Sequence, residues 1–141
     1  MRHRTVYVAG PMTGLPMFNW PMFFRAARDL REMGYIVVNP AEQDIINGVN
    51  PMKPMDSVGY EGVLKDDFKI IIAKCDMIVL LPGWQDSIGA RAECLLSQLI
   101  GNDVFEIIWG GEGIDEVSLK HITHDIIQTR VVNEAGVGAA L

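Results

Sequence analysis

The fold class predicted by this sequence is α/β, with helices packed on a central, mostly parallel sheet of about five strands. Three observations carry that prediction. Short β-rich runs alternate with longer helical patterns, the arrangement of βαβ units. The run at 77–81 (MIVLL) has no polar residue, as expected of a parallel strand covered on both faces. Turn pairs, Gly10-Pro11, Asn39-Pro40 and Pro82-Gly83, follow the first three β-rich runs, where an open α/β sheet places its ligand-binding loops.

Thr5–Ala9 (TVYVA) is rich in β-branched and aromatic residues and forms the first strand. Asn19 or a neighbour caps the following helix, with Pro21 in its first turn. Phe23, Phe24, Ala27, Leu30 and Met33 supply its apolar face, and Gly34 ends it. Residues 35–38 make a short second strand. Residues 41–59, with several Pro, Gly and Asn and weak periodicity, read as a long loop, a length usually tied to function or mobility. Residues 60–74 look helical, and 76–81 are the third strand. A helix over 87–100 ends at Gly101, and the fourth strand, 104–109, is broken by Gly110, Gly111 and Gly113. Residues 115–124 read as a helix and 127–132 as an edge strand. These elements make one domain over residues 1–133, followed by a small Gly/Ala-rich tail, 134–141, that is either flexible or docked on a partner subunit.

A chain of 141 residues with 49% hydrophobic composition has the apolar content for one proper core. Its net charge of −6 argues against a nucleic-acid or membrane surface, although a local nest of N–H groups can still hold a small anion. No apolar run reaches the roughly 20 residues of a membrane-spanning helix, and no signal peptide is evident. Cys75 and Cys94 lack metal-ligand spacing and read as buried thiols in a reducing compartment. The expected location is the cytoplasm, or a host's cytoplasm for a phage protein. Neither a metal nor a cofactor is expected: His3, His121 and His124 show no ligand spacing, and GxGxxG and Walker patterns are missing. His121 and Asp125, at helical spacing, amount at best to an ion pair.

Residues 75–93, CDMIVLLPGWQDSIGARAE, are the most informative stretch. A strand, a sharp turn and a helix opening near Ser87 bring unpaired N–H groups and a partial positive charge to the sheet edge. Ser87 with the Gly89 backbone is either an anion cradle or a plain N-cap. Glu93 lies too deep in the helix for a cap, which makes it a candidate catalyst. Gly10 and Gly14 permit close approach of a ligand, or simply serve their turn. Asp66 and Asp67, on the helix before the third strand, give a carboxylate pair with Glu93 if one of them faces the cleft. Such pairs suit glycosidic cleavage, where one group captures an oxocarbenium-like sugar and the other assists proton transfer. Trp84 walls the pocket or stacks on a base, with packing the preferred reading.

Residues 7–21 (YVAGPMTGLPMFNWP), 34–42 (GYIVVNPAE) and 75–93 resemble the nucleoside 2-deoxyribosyltransferase-like superfamily, in its phage and bacterial branch related to nucleoside 5′-monophosphate N-glycosidases. The resemblance spans about 5–109, with a weaker match near 130–137. It implies a flavodoxin-like three-layer sandwich and a homodimer or higher homo-oligomer whose sites are completed by a neighbouring subunit. It also implies that Glu93 is the nucleophile at the anomeric carbon. Asp67, with Asp66 as alternative, would contact sugar hydroxyls and assist proton movement. Tyr7 and Gly10 would line the sugar and base side, and Met12 and Trp84 are further candidate substrate contacts. Ser87 and Gly89 would cradle phosphate, with Arg91 assisting. Thr13 stands where some monophosphate hydrolases carry an arginine, and replacing a bidentate phosphate partner is not conservative. Arg91 or Arg25 would have to compensate.

The expected function is therefore hydrolysis of the base–sugar bond of a (deoxy)nucleoside 5′-monophosphate, with a small-molecule nucleotide or nucleoside as partner. Base exchange through the same intermediate is the alternative enzyme. A non-catalytic nucleotide-binding or sequestering protein is the alternative class, since fold does not determine function.

Overall fold

β1 (Thr5–Ala9) and β3 (Met77–Leu80) pair in parallel at the centre of the sheet, and every residue of β3 is buried. Strand side chains alternate between faces. Val6, Val8, Met77, Val79 and Leu81 accordingly join one core cluster, while Tyr7, Ala9, Ile78 and Leu80 join a second. The structure, a computed structural model, describes residues 4–52, 57–110 and 116–122, with the backbone alone for 57–61.

The first cluster is closed by α1 (Trp20–Glu32), whose Trp20, Phe23, Ala26, Ala27 and Leu30 are buried. Of the expected apolar face, Phe24 and Met33 instead reach solvent. β2 (Ile36–Val38) pairs in parallel with β1 and leads to α2 (Pro40–Ile46). α3 (Ser57–Lys74) and α4 (Ile88–Leu99) cover the opposite face, where Ile71, Ala90 and Cys94 meet Tyr7 and Ile78. β4 (Asp103–Trp109) pairs in parallel with β3, and β5 (Val117–Ile122) pairs antiparallel with β4. The order β2-β1-β3-β4-β5 makes a five-stranded, mostly parallel sheet between two helical layers, a flavodoxin-like sandwich. The chain leaves β1 for β2 on one side, and β3 lies on the other, so a crevice opens at the carboxyl ends of these strands.

Three expectations change. Residues 41–46 of the expected long loop belong to α2, and residues 57–59 begin α3: the Asn39 side chain accepts from Ala41 N at 3.0 Å, and Pro40 sits at the first helical position of α2. Arg31 then grips Glu42 through two hydrogen bonds, at 2.7 and 3.1 Å, tying α2 to α1. Within the expected helix at 115–124, residues 117–122 are strand β5, because half-buried Val117 and Leu119 alternate with exposed Ser118 and Lys120. His121 consequently lies 3.9 Å from Asp103 across the strands, and Asp125, its expected helical partner, lies outside the described residues. Asn19 precedes α1 in a left-handed conformation and does not cap it; its side chain donates to the Pro11 carbonyl at 3.0 Å. The expected strand at 127–132 and the tail at 134–141 lie outside the described residues. Cys75 and Cys94 are free and buried, with both thiols pushed up to about 11, chiefly by burial. No described helix is long and apolar enough to cross a membrane.

Gly10 owes its identity to packing. A Cβ there would lie 2.7 Å from Leu81 Cβ, an atom that cannot swing aside without its backbone. Gly10→Ala is expected to destabilise the fold by about 2 kcal/mol, the scale of core overpacking. Thermal melting would register this as a drop of several degrees, and an unchanged midpoint would refute it.

Candidate active site

Four segments converge at the crevice: the loop after β1, the second half of α2, the middle of α3 and the first turns of α4. Together they line a narrow pocket of about 60 Å³, to which Asp44, Asp67 and Glu93 contribute carboxylates. Met12, Phe18, Val63 and Leu64 form much of its apolar wall.

Glu93 is in the second turn of α4 and only 6% exposed. The Tyr7 hydroxyl, from the adjacent face of β1, donates to Glu93 Oε2 at 2.5 Å, and Oε1 has no hydrogen-bond partner among the described residues. Burial pushes the Glu93 carboxyl up to about 8, with the Asp67 charge adding to the rise and the Tyr7 hydrogen bond opposing it. Burial likewise lifts Asp67 to about 7, opposed by Tyr7 and reinforced by Asp44 and Asp66. Tyr7 itself is held well above its ordinary value by burial and by the two acids, so it stays a donor. Two carboxyls in one low-dielectric site resist double ionisation, and around neutral pH the pair retains a proton. The proton belongs to the pair.

The α3 helix phase separates the two aspartates. Asp67 faces the pocket with Glu93, whereas Asp66 is exposed and lines only a neighbouring cleft of about 320 Å³. Asp44, Val63 and Asp67 border both hollows. The sequence carries no signal for Asp44, because its segment lacks a helical period. α2 buries it to 4% exposure, and its Oδ2 has no hydrogen-bond partner among the described residues.

Ser87 is the N-cap of α4: its Oγ accepts from Ala90 N at 3.1 Å. Capping does not exclude the anion role, since the hydroxyl hydrogen stays available and the Ile88 and Gly89 N–H groups have no acceptor among the described residues. Ser87 and Gly89 both line the pocket, as do Gly10, Met12 and Thr13. Tyr7 lies beneath it as a support for the carboxylates.

Two expected contributors are elsewhere. Trp84 is buried against β4, with its Nε1 donating to Glu106 Oε1 at 3.0 Å, and it lines a different hollow between β3 and β4. Arg91 is exposed and does not line the pocket. Arg25 is no substitute, since its guanidinium stacks 4.4 Å over the Trp109 ring. Among the described residues no Lys or Arg lines the pocket, and no group of His, Cys, Asp and Glu has the arrangement of a metal site.

A family model described as a domain of unknown function, DUF4406, matches residues 4–106. The chain belongs to the DUF4406 family. The DUF4406 match runs from the start of β1 into β4 and takes in every pocket residue from Gly10 to Glu93. No curated protein matches the chain.

Proposed function

We propose that this protein is an N-glycosidase of (deoxy)nucleoside 5′-monophosphates that works through a glycosyl–Glu93 intermediate, as its resemblance to the deoxyribosyltransferase-like superfamily implies. The observation that supports this best is the buried Glu93–Asp67 pair, held by one tyrosine at the floor of a pocket that opens on a helix N-terminus. Glu93 Oε1 attacks the anomeric carbon. The C–N bond breaks, its electron pair goes to the base nitrogen, and the proton kept by the carboxyl pair passes through Asp67 to the departing base. The Tyr7 hydrogen bond on Oε2 orients the nucleophile and stabilises its charge. Water then attacks the glycosyl ester, returns a proton to the pair and frees sugar 5-phosphate. The phosphate rests against Ser87 and the free N–H groups of Ile88 and Gly89.

The lack of a lining Lys or Arg among the described residues favours a second reading, base exchange on unphosphorylated nucleosides, in which an acceptor base intercepts the same intermediate. Chromatography and mass spectrometry of products from nucleotides and nucleosides, with and without an acceptor base, separate the two. Free base plus sugar phosphate identifies the hydrolase, and a new nucleoside identifies the transferase. Absence of any Glu93-dependent product across the panel would leave a nucleotide-binding protein.

Ser87→Ala tests the phosphate contact. Losing a hydrogen bond to a charged group is expected to raise KM for monophosphates about tenfold, with nucleosides little affected. The lost cap destabilises α4 by about 1 kcal/mol, a separate effect seen in melting. Equal loss on both substrate classes would remove phosphate from Ser87.

A further inference from the structure

We infer that Asp44 reads the base: it accepts a hydrogen bond from an amino group on the nucleobase, so that amino-bearing bases are selected over their carbonyl or unsubstituted counterparts. The inference rests on the proposed function for the identity of the ligand, and on geometry for the role of Asp44.

Asp44 is almost fully buried, yet it lines both the Glu93 pocket and the broader adjoining cleft. Its Oδ2 and the Trp20 Nε1 are enclosed and lack a hydrogen-bond partner among the described residues, so a ligand entering the hollows would meet the other carboxylate oxygen, Oδ1. The Trp20 indole favours the Asp44 charge but makes no full hydrogen bond to it, so burial of this acid is under-compensated. A buried acceptor in that condition gains from any ligand that brings a donor. Glu93 and Asp67 are committed to the glycosidic bond, and the Ser87 end to phosphate. A pocket of about 60 Å³ is far smaller than the several hundred usual for such ligands, so part of a bound nucleotide must extend beyond it. Asp44 stands at the seam where that extension begins, beside the apolar side chains of Phe18 and Val63, which suit a flat ring.

The chemistry of a carboxylate sets the selectivity. It accepts only, so it pairs with the cytosine 4-amino group or the N1–H and 2-amino edge of guanine, and it is repelled by the O4 of uracil or thymine. Asp67, Asp66 and Glu93 are the other acids around it, and Lys69 on α3 borders the same cleft as the nearest base among its lining residues.

The test uses two matched pairs that differ at one amino group: dCMP against dUMP, and dGMP against dIMP. Binding is measured by calorimetry on the full chain carrying Glu93→Gln, with and without Asp44→Asn. The amide presents a donor and an acceptor, and so loses the preference without changing size. At least one pair should favour its amino member by about tenfold or more, and Asp44→Asn should bring that ratio near unity. Equal affinity within both pairs, a preference that survives Asp44→Asn, or no binding of any of the four would overturn the inference. Failure of the proposed function looks different: wild-type protein would release no base from any of the four while the Asp44-dependent preference persisted.

Discussion

Glu93→Gln is expected to reduce base release by at least about a thousandfold while nucleotide affinity changes only a few-fold, because it removes the attacking oxygen and little else. Glutamine keeps the volume of the side chain in a site where Glu93 is 6% exposed, and its carbonyl can still accept from the Tyr7 hydroxyl. What it lacks is a charge to form an ester with the anomeric carbon. Single-turnover assays beside a binding isotherm decide the matter. Activity retained within tenfold of wild type would exclude Glu93 as nucleophile. Parallel loss of turnover and affinity would point instead to a binding contact.

The second large effect is on stability, and its sign follows from the same carboxyls. Glu93 is pushed up to about 8 and Asp67 to about 7 in the folded chain, against ordinary values of 4.5 and 3.8. The folded state therefore holds protons that the unfolded state releases across that interval. The stability these two carboxyls contribute is complete below about pH 4, falls as pH rises through the interval, and is lost above about pH 8. The loss assignable to Glu93 is on the order of 3 kcal/mol, since each unit of separation corresponds to about 1.4 kcal/mol and the pair shares its proton. Glu93→Gln removes the Glu93 share of this dependence and leaves the share of Asp67, whose rise comes chiefly from its own burial. At pH 8.5 the variant should melt about 10 °C above wild type, with the difference much smaller at pH 4.5. Denaturation profiles from pH 4 to 9 would expose the error if the two proteins tracked one another. A gain in stability from deleting the proposed nucleophile would match the general trade between an active site and its fold.

Much of the architecture was legible from local pattern. β1 and β3 announce themselves by apolar runs between turn pairs, and α4 by Ser87 before a periodic stretch that ends at Gly101. Glu93 stood out because a carboxylate in the second turn behind a sheet-edge loop has no ordinary capping task. α2 was hidden by its length: seven residues are too few to show a helical period, and the Pro40 that closes a strand also opens a helix. β5 is not legible in the sequence because a six-residue alternation is weak and its partner strand β4 is what selects it.

By itself the sequence determined the parallel α/β plan, the crevice at the strand ends and the presence of Glu93 there, since these follow from residue periodicity and turn chemistry within one segment at a time. Only the tertiary structure decided between Asp66 and Asp67, removed Trp84 and Arg91 from the pocket, and brought Asp44 into it. Each of those outcomes depends on helix phase and on which distant element supplies the opposite wall. Neighbours in the chain carry no information about that, because burial and the charge of a carboxyl are set by what packs against it from elsewhere.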